Sequence, residues 1–178
     1  MSMRTNSLVL ALCLLARASS GGEAIAAFAK QSLGVDLESI SFGTTTNSEY
    51  GATSPPLSPA PMVAVADVSW RTNAASGKYN HDFPNRVLRY GFRDGRLVAI
   101  RVSINAMVID GRPEFGGPGF DERRKELVRI QEDLRQARQA QTLNPDSARF
   151  RVQYGAMCGS SPESLFLMEI EIIPVERK

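Results

Sequence analysis

The stretch Arg86–Ile109, RVLRYGFRDGRLVAIRVSINAMVI, is the most regular part of the chain and the one that most restricts its fold. Leu88, Tyr90 and Phe92 recur at a period of two before Asp94-Gly95. Val98, Ile100, Val102, Ile104 and Val108 recur at the same period after it. Each set therefore lies on one face of a strand, and a hairpin has to bring both sets to the same face. A two-residue turn at Asp94-Gly95 would pair Tyr90 with Ala99 and put the sets on opposite faces. A three-residue loop, Arg93-Asp94-Gly95, pairs Tyr90 with Val98 and Leu88 with Ile100. It also places Gly95 where a left-handed conformation is required. The expectation is a type I turn with a glycine bulge, in which Gly95→Val is destabilising.

Residues 1–18, MSMRTNSLVLALCLLARA, carry Arg4, an apolar run from Leu8 to Leu15, and then Ala16-Arg17-Ala18. That is the grammar of a cleavable signal peptide. The apolar run is about half the roughly 20 residues needed to cross a bilayer, so no membrane span is expected after cleavage. Leu12 before Cys13 does not fit a lipoprotein signal. Cleavage after Ala18 leaves residues 19–178 as a single domain in the periplasm or outside the cell. It removes Arg4 and Arg17 and no acid, bringing the 21 basic residues down to match the 19 acidic ones. A neutral mature chain gives no electrostatic support for binding nucleic acid.

Cys13 leaves with the signal, so Cys158 has no intramolecular partner. The plain reading is a buried, inert thiol; the alternatives are a disulfide-linked dimer through Cys158 or a catalytic nucleophile.

Along the mature chain, residues 22–33 place Ile25, Phe28, Ala29 and Leu33 at helical spacing, with Gly34 as the stop. Val35–Phe42 reads as a strand. Residues 43–61 form a Pro/Ser/Thr-rich connection that cannot sustain a helix or a central strand. Met62–Trp70 reads as a strand and 71–85 as a polar loop. After the hairpin and a glycine-rich loop comes a long helix with the stripe Leu127, Ile130, Leu134 and Ala137. Asp121 is its expected N-cap, Arg135 and Arg138 lie towards its C-terminal end, and Asn144-Pro145 stops it. Ala148–Ala156 and Leu165–Ile173 form a second hairpin. Arg149 and Arg151 are expected to face Glu169 and Glu171 across its solvent side. The whole is an α+β domain: a mostly antiparallel sheet of five or six strands, one long helix on a face and a short N-terminal helix.

No catalytic constellation is legible. The glycines before the long helix lack the P-loop lysine and hydroxyl, and Asp121 and Glu122 would repel a phosphate there. With His81 and Cys158 the only His and Cys after cleavage, no zinc set can be assembled, and no cofactor is expected. Lys78, Tyr79, Asn80, His81 and Asp82 are the densest group of chemically capable side chains. They are the candidate recognition surface, although such residues also cap an ordinary solvated turn. The function expected by subtraction is a non-catalytic protein that binds another protein, as an inhibitor, immunity protein or envelope-assembly factor does. The alternatives are a small-ligand carrier, with an apolar pocket between sheet and helix walled by Trp70 or Tyr90, and a thiol hydrolase using Cys158 and His81.

Overall fold

The structure is a computed structural model that describes residues 23–44, 50–53, 68–73, 86–106, 108–109, 112–113, 119–158 and 165–176. The signal peptide, most of the 43–61 connection, residues 62–67 and the 78–82 cluster lie outside the described residues. The fold is α+β. A six-stranded antiparallel sheet runs in the order β1-β2-β3-β4-β8-β7. Its strands are β1 (Tyr50–Thr53), β2 (Ser69–Asn73), β3 (Arg86–Arg93), β4 (Arg96–Asn105), β7 (Phe150–Cys158) and β8 (Leu165–Pro174). The two-residue strands β5 (Val108–Ile109) and β6 (Arg112–Pro113) pair separately. The hairpin limb expected to reach Ile109 therefore stops at Asn105.

The central hairpin β3–β4 shares its apolar face as expected, by a different device. Its turn has two residues: Arg93 pairs with Arg96, and both Asp94 (φ 50°) and Gly95 (φ 74°) are left-handed. That is the primed turn whose twist suits a hairpin. Parity is restored one step inward, where Gly91 pairs with Ala99 and Phe92 with Leu97, so that Val98 is passed over as a bulge. Tyr90 thus meets Ile100 and Leu88 meets Val102, two residues beyond the expected register.

Helix α1 (Ala24–Phe28) continues through a π-helical turn at Ala29–Leu33 and ends at Gly34, φ 72°. Ile25, Phe28, Ala29 and Leu33 are all buried. Helix α2 (Phe120–Leu143) presents Leu127, Ile130, Leu134 and Ala137 to Ile100, Val102, Ile104, Met168, Ile170 and Ile172 of the sheet. Each buried Leu or Ile among them contributes about 1.5–3 kcal/mol through removal from water. The N-cap of α2 is Gly119, φ 87°, rather than Asp121, which lies in the first turn. The helix runs past Arg135 and Arg138, leaving no base in its last turn.

One further expectation is corrected. Residues 35–42 are turns, not a strand. Asp36 accepts from the Glu38 amide (3.1 Å) and from Lys30 Nζ (2.8 Å), and its carbonyl accepts from Ser39 Oγ (2.8 Å). This local bonding outcompetes a sheet ladder. The 43–61 connection contains β1, which pairs with β2 at the edge of the sheet. The strand expected at 62–70 is seen from Ser69 and continues to Asn73.

Candidate functional site

Side-chain chemistry concentrates in two places, one on each face of the sheet. On the face away from α2, register sets Arg89, Arg101, Glu171 and Gln153 in one row across β3, β4, β8 and β7. The next row holds Val87, Ser103, Glu169 and Gly155. The second hairpin forms as expected, but Glu169 and Glu171 do not face solvent or pair with Arg149 and Arg151. They are buried, Glu171 completely, as are Arg89, Arg101 and Ser103. The physical reason is a better partner on the other side of β8. Both Nε (2.9 Å) and Nη2 of Arg101 donate to Glu171 Oε1. The Trp70 ring lies 4.1 Å from the Arg101 guanidinium carbon, adding a cation–π contact. Arg89 would repel Arg101 directly opposite, and its Nη1 donates diagonally to Ser103 Oγ (3.2 Å), which donates to Glu169 Oε1 (3.3 Å). Glu171 Oε2 accepts no hydrogen bond among the described residues. The layer holds two cations against two carboxylates, and its one hydroxyl, Ser103, is buried between Arg89 and Glu169; its chemistry is that of mutual neutralisation.

The second concentration is on the opposite face, at the sheet's outer strand. Gln131 Nε2 of α2 donates to Tyr154 Oη of β7 (2.9 Å), and Gln141 Nε2 donates to the Phe150 carbonyl. Ten helix residues and four strand residues both span about 13–15 Å, so α2 runs alongside β7 in the opposite direction. Between them lies an open groove of about 510 Å³, lined among others by Val128, Gln131, Arg135, Arg138 and Tyr154. A second, of about 290 Å³, lined by Asp121, Arg124, Lys125 and Val128, continues it along the helix. Val128 lines both and is 46% exposed. Arg135 Nε and Nη2 donate to Glu132 at 2.8 and 2.7 Å, and Gln136 also donates to it. Together they hold the Glu132 carboxyl down to about 2. Arg124 approaches Asp121 at 3.5 Å. Lys125 and Arg138 are exposed and make no ion pair among the described residues.

The Lys78, Tyr79, Asn80, His81 and Asp82 cluster lies outside the described residues, so its convergence with Cys158 is not seen. Cys158 itself is exposed at the end of β7, which corrects the buried reading. Trp70 cannot wall a pocket between sheet and α2, because it stacks on Arg101 on the other face. Ile100, Ile104, Leu127, Ile130 and Ile170, which meet between sheet and helix, are each 0% exposed, and the groove lies outside them. No group of three or more His, Cys, Asp or Glu among the described residues is placed to hold a metal. No described helix is long and apolar enough to cross a membrane.

The sequence reading missed the groove because its residues belong to the polar side of α2. The one signal was Val128, an apolar residue beside the Leu127–Ala137 stripe. Comparison with protein-family models, curated proteins and solved structures found no match, so no relative supplies a function.

Proposed function

We propose that this chain is a non-catalytic exported protein that binds another protein. The observation that carries the reading is the groove between α2 and β7, where exposed Val128 and the Tyr154 ring sit beside the sheet's outer strand. An outer strand offers unpaired backbone donors and acceptors, and a groove beside it offers side-chain contacts; together these are what a protein partner can use. Export is supported by the leader-like residues 1–18. Among the described residues no group of three or more His, Cys, Asp or Glu is placed to hold a metal.

The test is affinity capture of the full chain, tagged at its C-terminus and expressed in its own cells, with N-terminal sequencing of the recovered protein. Expected are cleavage after Ala18 and a stoichiometric partner that survives reductant. That partner is lost in Val128→Asp with Tyr154→Ala and kept in Tyr79→Ala with His81→Ala. Loss in the second pair alone would move the surface to the 78–82 cluster. A partner released by reductant would make Cys158 the tether. Recovery of the chain alone, from every fraction, would end the protein-binding reading.

A further inference from the structure

The groove also carries information about what kind of segment it takes. We infer that it receives an acidic, extended segment of the partner, added as a strand along the outer edge of β7. The inference rests on the protein-binding reading and specifies its ligand chemistry. Three observations carry it. First, β7 is nine residues long, is the outer strand of the sheet, and lies alongside the groove rather than across it. A strand paired to that edge would turn every second side chain towards α2. Second, the charges along the groove are unbalanced among the described residues. Glu132 is engaged by Arg135 and Gln136, and Asp121 is approached by Arg124, which leaves Lys125 and Arg138 as excess positive charge there. Third, Val128, exposed between those two cations, and the half-buried Tyr154 ring offer apolar contact.

The spacing sets the ligand. Lys125 and Arg138 are thirteen helix residues apart, about 20 Å, a distance that about six residues of extended chain span. The fitting segment has acids about six residues apart and apolar residues facing the groove between them. Its on-rate and affinity should fall with salt, because exposed cations act over roughly a Debye length.

The experiment is selection of a random twelve-residue peptide display library on the full chain purified after export, followed by synthesis of the enriched peptides. Enrichment of acidic peptides with apolar residues between the acids is expected. Their binding should weaken on the order of tenfold in Lys125→Glu with Arg138→Glu and in Val128→Asp. It should be unchanged in Tyr79→Ala with His81→Ala, and it should perturb the amides of β7 by nuclear magnetic resonance. Lys125, Val128 and Arg138 are exposed, and an unchanged melting temperature verifies that each variant is folded. Enriched peptides without acids, or indifferent to the charge reversals, would overturn the acidic-segment inference while a captured partner kept the broader reading. An empty selection would overturn it as well, since a groove filled by the chain's own residues takes no peptide. So would a Val128-dependent dimer in sedimentation, which would make a second copy the occupant.

Discussion

On β8 two adjacent residues, Ile170 and Glu171, are each 0% exposed, yet they are held by unlike physics. Ile170 points to the α2 side and joins Leu127, Ile130, Ile100 and Val102, where any apolar neighbour of the right size would serve. Glu171 points to the other side, where burial is tolerable only because Arg101 donates twice to it and the Trp70 ring packs on Arg101. Around Ile170 the sheet is held by volume and around Glu171 by pairing, although the α2 face also seats one ion pair, from buried Arg86 of β3 to Glu126 of α2. The apolar face should therefore be tolerant of chemistry and sensitive to size, and the polar face the reverse.

The largest expected effect comes from breaking the pair. Glu171→Ala or Arg101→Ala leaves the other charge buried and should cost about 3–5 kcal/mol in denaturant unfolding. Replacing both, as Arg101→Met with Glu171→Leu, should recover most of that loss. A double variant as unstable as the sum of the singles would mean that the pair is not coupled, and the contrast between the faces would fail.

Ile170→Ala tests the other face at the neighbouring position. It should cost about 2–5 kcal/mol, set by the cavity left against α2. Ile170→Val should cost only about 0.5–1.5 kcal/mol. No charge partner exists to rescue the alanine variant, so its additivity with Glu171→Ala in a double-mutant cycle measures how independent the two faces are.

Gly91→Val probes how tightly Trp70 is seated over the polar layer. A Cβ there would fall 2.6 Å from Val68 Cγ1 and 2.9 Å from Trp70 Cζ3, so the ring has to move off Arg101. The expected cost is about 1–3 kcal/mol, with a change in tryptophan fluorescence. Gly95→Val should cost less, about 1–2 kcal/mol. A Cβ at Gly95 meets nothing within 4 Å, so only its backbone, φ 74°, resists the substitution. If Gly91→Val proves the milder of the two, the polar layer yields more readily than a surface turn.

How far each face could be read from the sequence follows the same division. Apolar burial is written locally: Leu127, Ile130, Leu134 and Ala137 at helical spacing, and Ile100, Val102 and Ile104 at strand spacing, identify their own side. The α+β class and both hairpins follow from those patterns. Glu169 and Glu171 alternate with apolar residues as solvent-facing acids do, and nothing near them in sequence says otherwise. The burial of Glu171 depends on Arg101, 70 positions away, arriving on the adjacent strand, and Glu169 accepts from Ser103 of that same strand. A sign match existed in the sequence, since β4 also carries arginine opposite its apolar set, but Arg149 and Arg151 of β7 offered the same match at shorter range. The hairpin turn shows a similar limit: parity required one extra residue somewhere, and only the structure places it at Val98 instead of in the turn. The groove was hidden for another reason. A site made of one exposed valine, two cations with no ion pair among the described residues and a tyrosine on a different element has no one-dimensional spacing.

The smallest effect is reserved for the exposed counterpart of the buried pair, Glu132 with Arg135 on α2. Two hydrogen bonds from Arg135 and one from Gln136 lower the Glu132 carboxyl from its ordinary 4.5 to about 2 in the folded chain. Because the folded value is the lower one, the stabilisation is complete above pH 4.5 and is lost as pH falls through about 2. The stability difference between the parent and Glu132→Gln should therefore be flat above pH 4.5, shrink below it, and shrink again with added salt. A carboxyl titration by nuclear magnetic resonance with its midpoint near 4.5 would show that Arg135 is not held by Glu132 in solution. Arg135 would then be a third available cation in the groove, beside Lys125 and Arg138, and the surface along β7 would be more strongly basic than the pairing implies.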